Sequence, residues 1–135
     1  MWEGCPTSRA VTVLFFLAAT TTGALAQTLP IPSRWTSQNY SYLEFDQMVD
    51  QAEFVGIYVA HDPNFACSNS LSKLTGFVHG AKVTFTVEWW LNGPAQCGET
   101  TWTGTVSGNT ITAHWVRTAK GFPTVSGADT FTRKP

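Results

Sequence analysis

Apolar and polar side chains alternate with a period of two over much of the second half of the chain. In residues 83–91, VTFTVEWWL, every second side chain up to Trp89 is apolar, and threonine or glutamate stands between them. The same alternation recurs over residues 99–106 and 109–118. A period of two sends successive side chains to opposite faces, as in a β-strand. Each of these segments is therefore a predicted strand with one face toward a core.

Five further segments are rich in β-forming residues and bounded by turn residues, and no segment shows a sustained helical repeat. The eight predicted strands are residues 34–38, 41–47, 54–61, 71–79, 83–91, 99–106, 109–118 and 128–133. Glycine, asparagine and proline separate them, which favours an antiparallel meander. Eight strands can close into an up-and-down β-barrel whose interior is wide enough for one small ligand. An open β-sandwich is the alternative.

Residues 1–26 have the features of a secretory signal peptide. An uncharged apolar run, AVTVLFFLAA, follows Arg9, and the small-residue motif ALA ends at residue 26. We expect cleavage after this motif and secretion into the extracellular space or the periplasm, with an uncleaved membrane anchor as the alternative. The mature chain then begins with an extended N-terminal arm, residues 27–33, and continues as one domain, residues 34–135.

The charge balance argues against nucleic-acid binding. The chain has 8 basic and 9 acidic side chains and a net charge of −1, whereas a nucleic-acid binder needs a clustered basic excess. Apolar residues make up 43% of the chain and charged residues only 13%, about half the usual share, so the composition is that of a folded chain and not of a disordered one. After residue 26 no stretch is apolar enough to cross a bilayer, so we expect no membrane association once the signal peptide is removed.

The cysteines agree with export from the cytoplasm. Cys5 would be removed with the signal peptide, which leaves Cys67 and Cys97 in an oxidising compartment. Two cysteines in an exported domain most simply form one disulfide bond, and two buried free thiols are the alternative.

No group of residues indicates catalysis or metal binding. His61, His79 and His114 have no His or Cys partner at the spacing of metal ligands, so we predict no metal site. The sequence also contains no nucleophile elbow, no phosphate-binding loop and no pair of carboxylates in comparable apolar settings. We therefore expect no catalytic residues and a protein that is not an enzyme.

Tryptophan is the unusual feature of the predicted strands. The alternation places Trp89, Trp102 and Trp115 on the inward faces of three successive strands, together with Tyr58 from an earlier strand. One interpretation is that these rings only fill the core. Three indoles beside a short polar neighbour, Thr100, are more typical of a small-molecule pocket, because a dry core more often uses Leu, Ile and Val.

Six short segments occur in the order found in the avidin and streptavidin family: FVGIY at 54–58, LTG at 74–76, FTVEW at 85–89, TTWTG at 100–104, TAHW at 112–115 and DTF at 129–131. The mature chain resembles this family of biotin-binding proteins, and most closely its short, dimeric bacterial members, the rhizavidin-like avidins. The resemblance implies an all-β, eight-stranded antiparallel up-and-down barrel that holds biotin non-covalently at its open end. It implies no cofactor, with biotin as the bound ligand.

The resemblance also implies a role for particular residues. Ser41 and Tyr58 would donate hydrogen bonds to the ureido oxygen of biotin, and Asp129 would accept one from a ureido N–H. The hydroxyl of Thr100 would point at the thioether sulfur. The walls around the bicyclic ring would be three tryptophans: Trp89, Trp102 and Trp115. A urea binds best to donors and acceptors that are ordered before binding, and an apolar ring system binds best to aromatic walls.

Three positions depart from the family pattern. Ser37 replaces an asparagine, so its shorter hydroxyl would reach the ureido oxygen only through water. Ala60 replaces a polar residue that would accept a ureido N–H. Gly98 stands where some relatives have a serine near the ligand carboxylate. We therefore expect weaker biotin binding than in relatives with the full polar set.

In the short dimeric members a disulfide joins the two connections that here contain Cys67 and Cys97, so the resemblance implies that these residues pair. Tetrameric relatives carry a tryptophan in the connection before the last strand, and residues 119–124 have none, which favours a homodimer. Two other functions stay open: a barrel of this kind that binds a different small ligand, and a small secreted enzyme or protease inhibitor. Asn39 begins a glycosylation sequon, NYS, which matters only in a eukaryotic source.

Overall fold

The computed structural model describes Gly4 and residues 28–135 of the chain. The predicted signal peptide, apart from Gly4, therefore lies outside the described residues. Within the described part, no helix is long and apolar enough to span a membrane. Residues 28–32 precede the first strand, and Leu29 of this arm is buried in the core of the barrel.

Eight antiparallel strands close into a barrel in simple chain order. They are β1 (Ser33–Ser37), β2 (Tyr42–Met48), β3 (Glu53–Val59), β4 (Leu71–His79), β5 (Lys82–Glu88), β6 (Glu99–Ser107), β7 (Thr110–Thr118) and β8 (Val125–Arg133). Each strand pairs with the next, and β1 also pairs with β8, so the sheet has no free edge. The predicted up-and-down barrel is confirmed, and the alternative of an open sandwich is excluded.

The prediction of a strand over residues 83–91 is wrong at its C-terminal end. β5 stops at Glu88, and a short 3-10 helix follows over Trp89–Leu91. A second 3-10 helix covers Ala95–Cys97. Pro94 lies between them and has no N–H to donate to a strand ladder, so the chain turns here instead of extending the sheet.

The interior of the barrel is filled at one end. The connections β2–β3, β4–β5 and β6–β7 lie at that end, because successive strands run in opposite directions. The ring centroid of Phe45 lies 4.9 Å from that of Phe54 and 5.4 Å from that of Phe85, both in edge contact. Gly76 leaves room for this packing, since a Cβ atom there would lie 2.4 Å from the ring of Phe54. Dense aromatic packing at this end leaves the opposite end for a cavity.

A disulfide bond joins Cys67 and Cys97 at the opposite, open end of the barrel. Cys67 lies in the connection between β3 and β4, and Cys97 ends the second 3-10 helix, between β5 and β6. The predicted pairing is confirmed, and the alternative of two free thiols is excluded. The bond spans 30 residues of sequence and ties together two of the connections that border the open end.

Replacing both cysteines by serine is expected to lower the free energy of unfolding by about 3 to 4 kcal/mol, because the unfolded chain is then no longer restricted by a closed loop. Urea unfolding of residues 27–135 with and without the double substitution measures the difference. A reducing agent should produce the same loss in the unchanged protein and no loss in the double variant. Equal unfolding midpoints for the two proteins would contradict a stabilising role of the bond.

Candidate functional site

A cavity of about 100 Å³ opens at the end of the barrel that carries the disulfide. Closure of the barrel brings seven of the eight predicted ligand-contacting residues to its walls: Ser41, Tyr58, Trp89, Thr100, Trp102, Trp115 and Asp129. The eighth, Ser37, does not line it. The alternation had pointed to five of the twelve residues that line this cavity, and the family resemblance added Ser41 and Asp129.

The indole of Trp102 lines the cavity and packs against two other rings. The ring of Tyr58 stacks on one side at a centroid distance of 4.7 Å, and the ring of Phe85 stacks on the other at 5.0 Å. Trp89 closes one wall, with its ring at right angles to that of Tyr58 and 5.5 Å away. These contacts fix the rings in place and explain why the cavity is narrow.

Two donors hold the carboxylate of Asp129. The indole N–H of Trp102 donates to Oδ2 at 2.8 Å, and the side-chain amide of Gln38 donates to Oδ1 at 3.1 Å. Gln38 is itself held, because its Oε1 accepts the backbone N–H of Thr130 at 2.8 Å. Each carboxylate oxygen has a further lone pair, so Asp129 can accept another N–H from a ligand. Gln38 is a residue of the site that was not predicted from the sequence.

The hydroxyl groups of Tyr58 and Ser41 lie together in the cavity. Burial, and then the negative charge of Asp129, raise the pKa of Tyr58, while a hydrogen bond with Ser41 partly offsets this shift. Tyr58 therefore stays protonated far above neutral pH and can donate a hydrogen bond. Ser41 Oγ also accepts the backbone N–H of His61 at 3.1 Å, which ties the end of β3 to the β1–β2 connection.

Trp89 lies where the sequence predicted an inward side chain, although it begins a 3-10 helix and not the end of a strand. Its indole N–H donates to Oγ1 of Thr100 at 2.9 Å. A hydroxyl that accepts a hydrogen bond keeps its own proton for a second partner. Thr100 is thus a buried donor held at the wall of the cavity.

Because of Ser37 and Ala60, the cavity has fewer free polar groups than the family pattern would give. The buried Oγ of Ser37 accepts the backbone N–H groups of Asn39, at 3.2 Å, and of Ser41, at 3.0 Å. The hydroxyl is thus engaged in the β1–β2 turn. Ala60 does line the cavity, and its side chain has no polar atom.

Gly98 does not line the cavity, and the backbone explains the absence of a side chain there. Its φ is +58°, and a Cβ atom would lie 1.9 Å from the carbonyl oxygen of Thr118. A serine at this position is therefore incompatible with the observed backbone.

Phe65 and Arg117 also line the cavity, together with Asn39 and Asp62, and none of the four was predicted from the sequence to belong to the site. Phe65 lies in the β3–β4 connection, with its ring 5.1 Å from that of Trp89. The guanidinium carbon of Arg117 lies 4.7 Å from the centroid of Phe65. The alternation along β7 extends to Arg117, so its inward position could have been predicted from the sequence. No periodic pattern marks Phe65, which lies in an irregular connection.

A larger groove of about 500 Å³ lies outside the barrel beside the exposed ring of Trp90. Its charged residues, Glu99 and Lys120, are exposed, and none of the buried polar side chains faces it. Among residues 28–135 no group of His, Cys, Asp and Glu side chains is arranged to hold a metal ion. Within the described chain, the smaller cavity is therefore the better candidate for a binding site.

Comparison with known proteins gives matches to solved structures. A scan of protein-family models finds no match, and a search of curated proteins finds none. Short afifavidin in complex with biotin is 31% identical, with a TM-score of 0.66, over 76% of this chain and 87% of that one. The rhizavidin–biotin complex is 30% identical, with a TM-score of 0.69, over 78% and 93%. Apo shwanavidin is 29% identical, with a TM-score of 0.71, over 81% and 100%.

The fold and the cavity define a closed antiparallel up-and-down barrel with one small site at its open end. The identity to solved avidins over most of both chains shows that the protein belongs to the avidin family. Its structural neighbours are short bacterial avidins. The resemblance found in the sequence is thus confirmed.

Stability is expected to fall above about pH 10, because the unfolded chain then releases the Tyr58 proton and the folded protein retains it. One such proton corresponds to about 1.4 kcal/mol of unfolding free energy per pH unit. Urea unfolding between pH 8 and pH 11 measures the slope, and Tyr58→Phe should reduce it by this amount. Tyr40→Phe, at a side chain that is 78% exposed, is the matched control and should keep the slope. Identical slopes for Tyr58→Phe and the unchanged protein would contradict this account.

Proposed function

We propose that the mature chain binds biotin non-covalently in the cavity at the open end of the barrel. The observation that carries the proposal is the convergence of three hydroxyl groups, a fixed carboxylate and three indole rings on one small cavity. Rhizavidin, bradavidin2 and short afifavidin, which are similar in structure to this chain, have each been solved as a biotin complex.

The ureido group of biotin would lie among Ser41, Tyr58 and Asp129. The hydroxyl groups of Tyr58 and Ser41 would donate to the ureido oxygen, and Asp129 would accept a ureido N–H. Support comes from the contacts that already hold these groups, since Trp102 and Gln38 fix Asp129 and the Tyr58 ring is stacked. Groups that are ordered before the ligand arrives lose little side-chain entropy on binding.

The fused rings of biotin would lie between the indoles of Trp89, Trp102 and Trp115, with the hydroxyl of Thr100 directed at the thioether sulfur. The cavity volume of about 100 Å³ is below the roughly 300–1,000 Å³ of pockets for drug-sized ligands. A compact bicyclic ring suits such a cavity better than an extended ligand does. The valeryl chain would then lead out through the open end.

The same proposal covers the setting of the protein: a secreted homodimer, released by removal of residues 1–26, that is not an enzyme. The Cys67–Cys97 disulfide supports an oxidising compartment. Residues 119–124 contain no tryptophan that could complete the site of a neighbouring subunit, which supports a dimer over a tetramer.

A different compact ligand is the second candidate. It is favoured by the small number of free polar groups near the position proposed for the ureido group. The hydroxyl of Ser37 is engaged in a turn, and Ala60 offers no acceptor, so a urea has fewer partners here than a full polar set would give. Retention on biotin-agarose and release by free biotin would separate the two candidates.

Biotin is expected to raise the melting temperature and to change the tryptophan fluorescence, because binding selects the folded state and three indoles would contact the ligand. Differential scanning fluorimetry and emission spectra with increasing biotin measure both effects. An unchanged melting curve at saturating biotin would reject biotin as the ligand.

Substitution of the wall tryptophans is expected to locate the site. Trp102→Ala or Trp115→Ala should weaken biotin binding about thirtyfold or more, since truncating an aromatic side chain at the centre of a binding site typically costs about 2 kcal/mol or more of binding free energy. Trp90→Ala is the matched control and should bind like the unchanged protein, because its ring is 50% exposed outside the barrel. Isothermal titration measures the three affinities, and equal losses in all of them would mean that the ligand does not lie in the cavity.

Ala60→Ser and Ala60→Asn are expected to slow biotin dissociation about tenfold, because each supplies an acceptor for a ureido N–H that otherwise lacks one. The measurement is the off-rate of labelled biotin chased with free biotin. Ala66→Ser adds the same hydroxyl to the same connection outside this cavity and should leave the off-rate unchanged. Unchanged off-rates in both Ala60 variants would mean that another group already accepts this N–H.

A further inference from the structure

Arg117 differs from every other basic residue of the described chain. Among the Lys and Arg side chains at 34, 73, 82, 117, 120, 133 and 134, only that of Arg117 is partly buried. It lies on β7 two residues beyond Trp115, so both side chains share the inward face. Arg117 lines the cavity, where its charge has lost part of its hydration and requires a compensating partner.

The contacts of Arg117 orient its guanidinium group and leave its charge unneutralised. The group lies over the ring of Phe65, 4.7 Å from the centroid, in a cation–π contact. Phe65 packs in turn on Trp89, and the disulfide at Cys67 anchors its connection. Within residues 28–135 the one ion pair joins Arg34 to Glu44, so no carboxylate of the described chain pairs with Arg117. The N–H donors of this guanidinium are available to a ligand.

Arg117 lies at the opposite end of the cavity from Asp129. In the β7–β8 ladder Asp129 is paired with Ala113, and Arg117 is paired with Val125. Arg117 lies four residue steps along β7 from Ala113, which is about 13 Å at roughly 3.3 Å per step. Arg117 stands on the side of the open end, one residue before β7 finishes. A ligand held at Asp129 by one end would present its other end to Arg117.

We propose that Arg117 binds the carboxylate of the ligand, and that this chain selects free biotin over biotin linked through an amide. This inference rests on the proposed function. Biotin carries its ureido group and its carboxylate at opposite ends, and the planar fork of arginine matches a carboxylate in bidentate geometry. Linkage to a lysine side chain converts the carboxylate into a neutral amide and removes the charge that Arg117 recognises.

Asp62 provides an internal check, because it lines the same cavity with the opposite charge. Its Oδ1 accepts the backbone N–H of Asn64 at 2.9 Å, and it forms no ion pair with Arg117. A negative charge at this position opposes an incoming carboxylate and affects a neutral amide far less. Asp62→Asn should therefore strengthen the binding of free biotin and leave the binding of biotin amide nearly unchanged.

Titration with biotin and with biotinamide, its neutral primary amide, tests the proposal on the mature protein. We expect the unchanged protein to bind biotin about tenfold more tightly than biotinamide at low salt, which is a modest value for a charge-assisted hydrogen bond. The preference should shrink at high salt, since charges near a cavity mouth are screened. Arg117→Leu should weaken biotin binding about tenfold and change biotinamide binding less than about twofold.

Two further variants make the test specific. Lys120→Leu removes the same charge from the β7–β8 connection, outside this cavity, and should keep the full preference. Arg117→Lys should keep part of the preference for biotin over biotinamide, because the charge stays and the planar stacking on Phe65 is lost.

The possible outcomes distinguish the role of Arg117 from the biotin function itself. An unchanged ratio of the two affinities in Arg117→Leu, or an equal loss for both ligands, would overturn the role of Arg117 in recognising the carboxylate and leave biotin binding standing. No binding of either ligand by the unchanged protein would instead overturn the biotin function on which this inference rests.

Discussion

The indole of Trp102 is the interaction on which both halves of the barrel depend. Its faces lie against Tyr58 and Phe85, and its N–H donates to Asp129. Phe85 belongs to the filled end and Tyr58 to the cavity, so Trp102 packs against both the core and the site. Each aromatic contact contributes roughly 0.5–1.5 kcal/mol beyond its buried area, and the buried N–H without its acceptor would cost about 1–3 kcal/mol. The stability of the fold and the shape of the site therefore rest on the same residue.

Around Trp102 the polar groups of the site are ordered by the protein itself. Gln38 orients Asp129 from the neighbouring β1–β2 connection, and Trp89 orients the hydroxyl of Thr100. The disulfide holds the connection that carries Phe65. A site with this degree of order binds a rigid, compact ligand with little loss of side-chain entropy, which is the physical basis for proposing a small bicyclic ligand.

The polar groups are distributed unevenly along the cavity. Ser37 lies outside the cavity, with its hydroxyl engaged by backbone N–H groups, and Ala60 in the cavity wall has no acceptor, while Arg117 adds an unneutralised cation. If the ligand is biotin, as proposed, this arrangement would recognise it less through its ureido group and more through its terminal carboxylate.

The sequence by itself predicted the eight strands, the antiparallel barrel, the two cysteines that pair and, from the alternation, five of the twelve residues that line the cavity. Ser41 and Asp129 came only from the resemblance to the avidin family. Alternation and turn residues are local properties, and they assign each side chain to the inside or the outside before any strand has paired. They could not show that Trp89 begins a 3-10 helix, that Gln38 reaches Asp129, or that Arg117 lies over Phe65. Those contacts depend on the register and tilt of the strands and on irregular connections. Only closure of β1 on β8 sets that register, so only the tertiary structure decided which inward side chains meet.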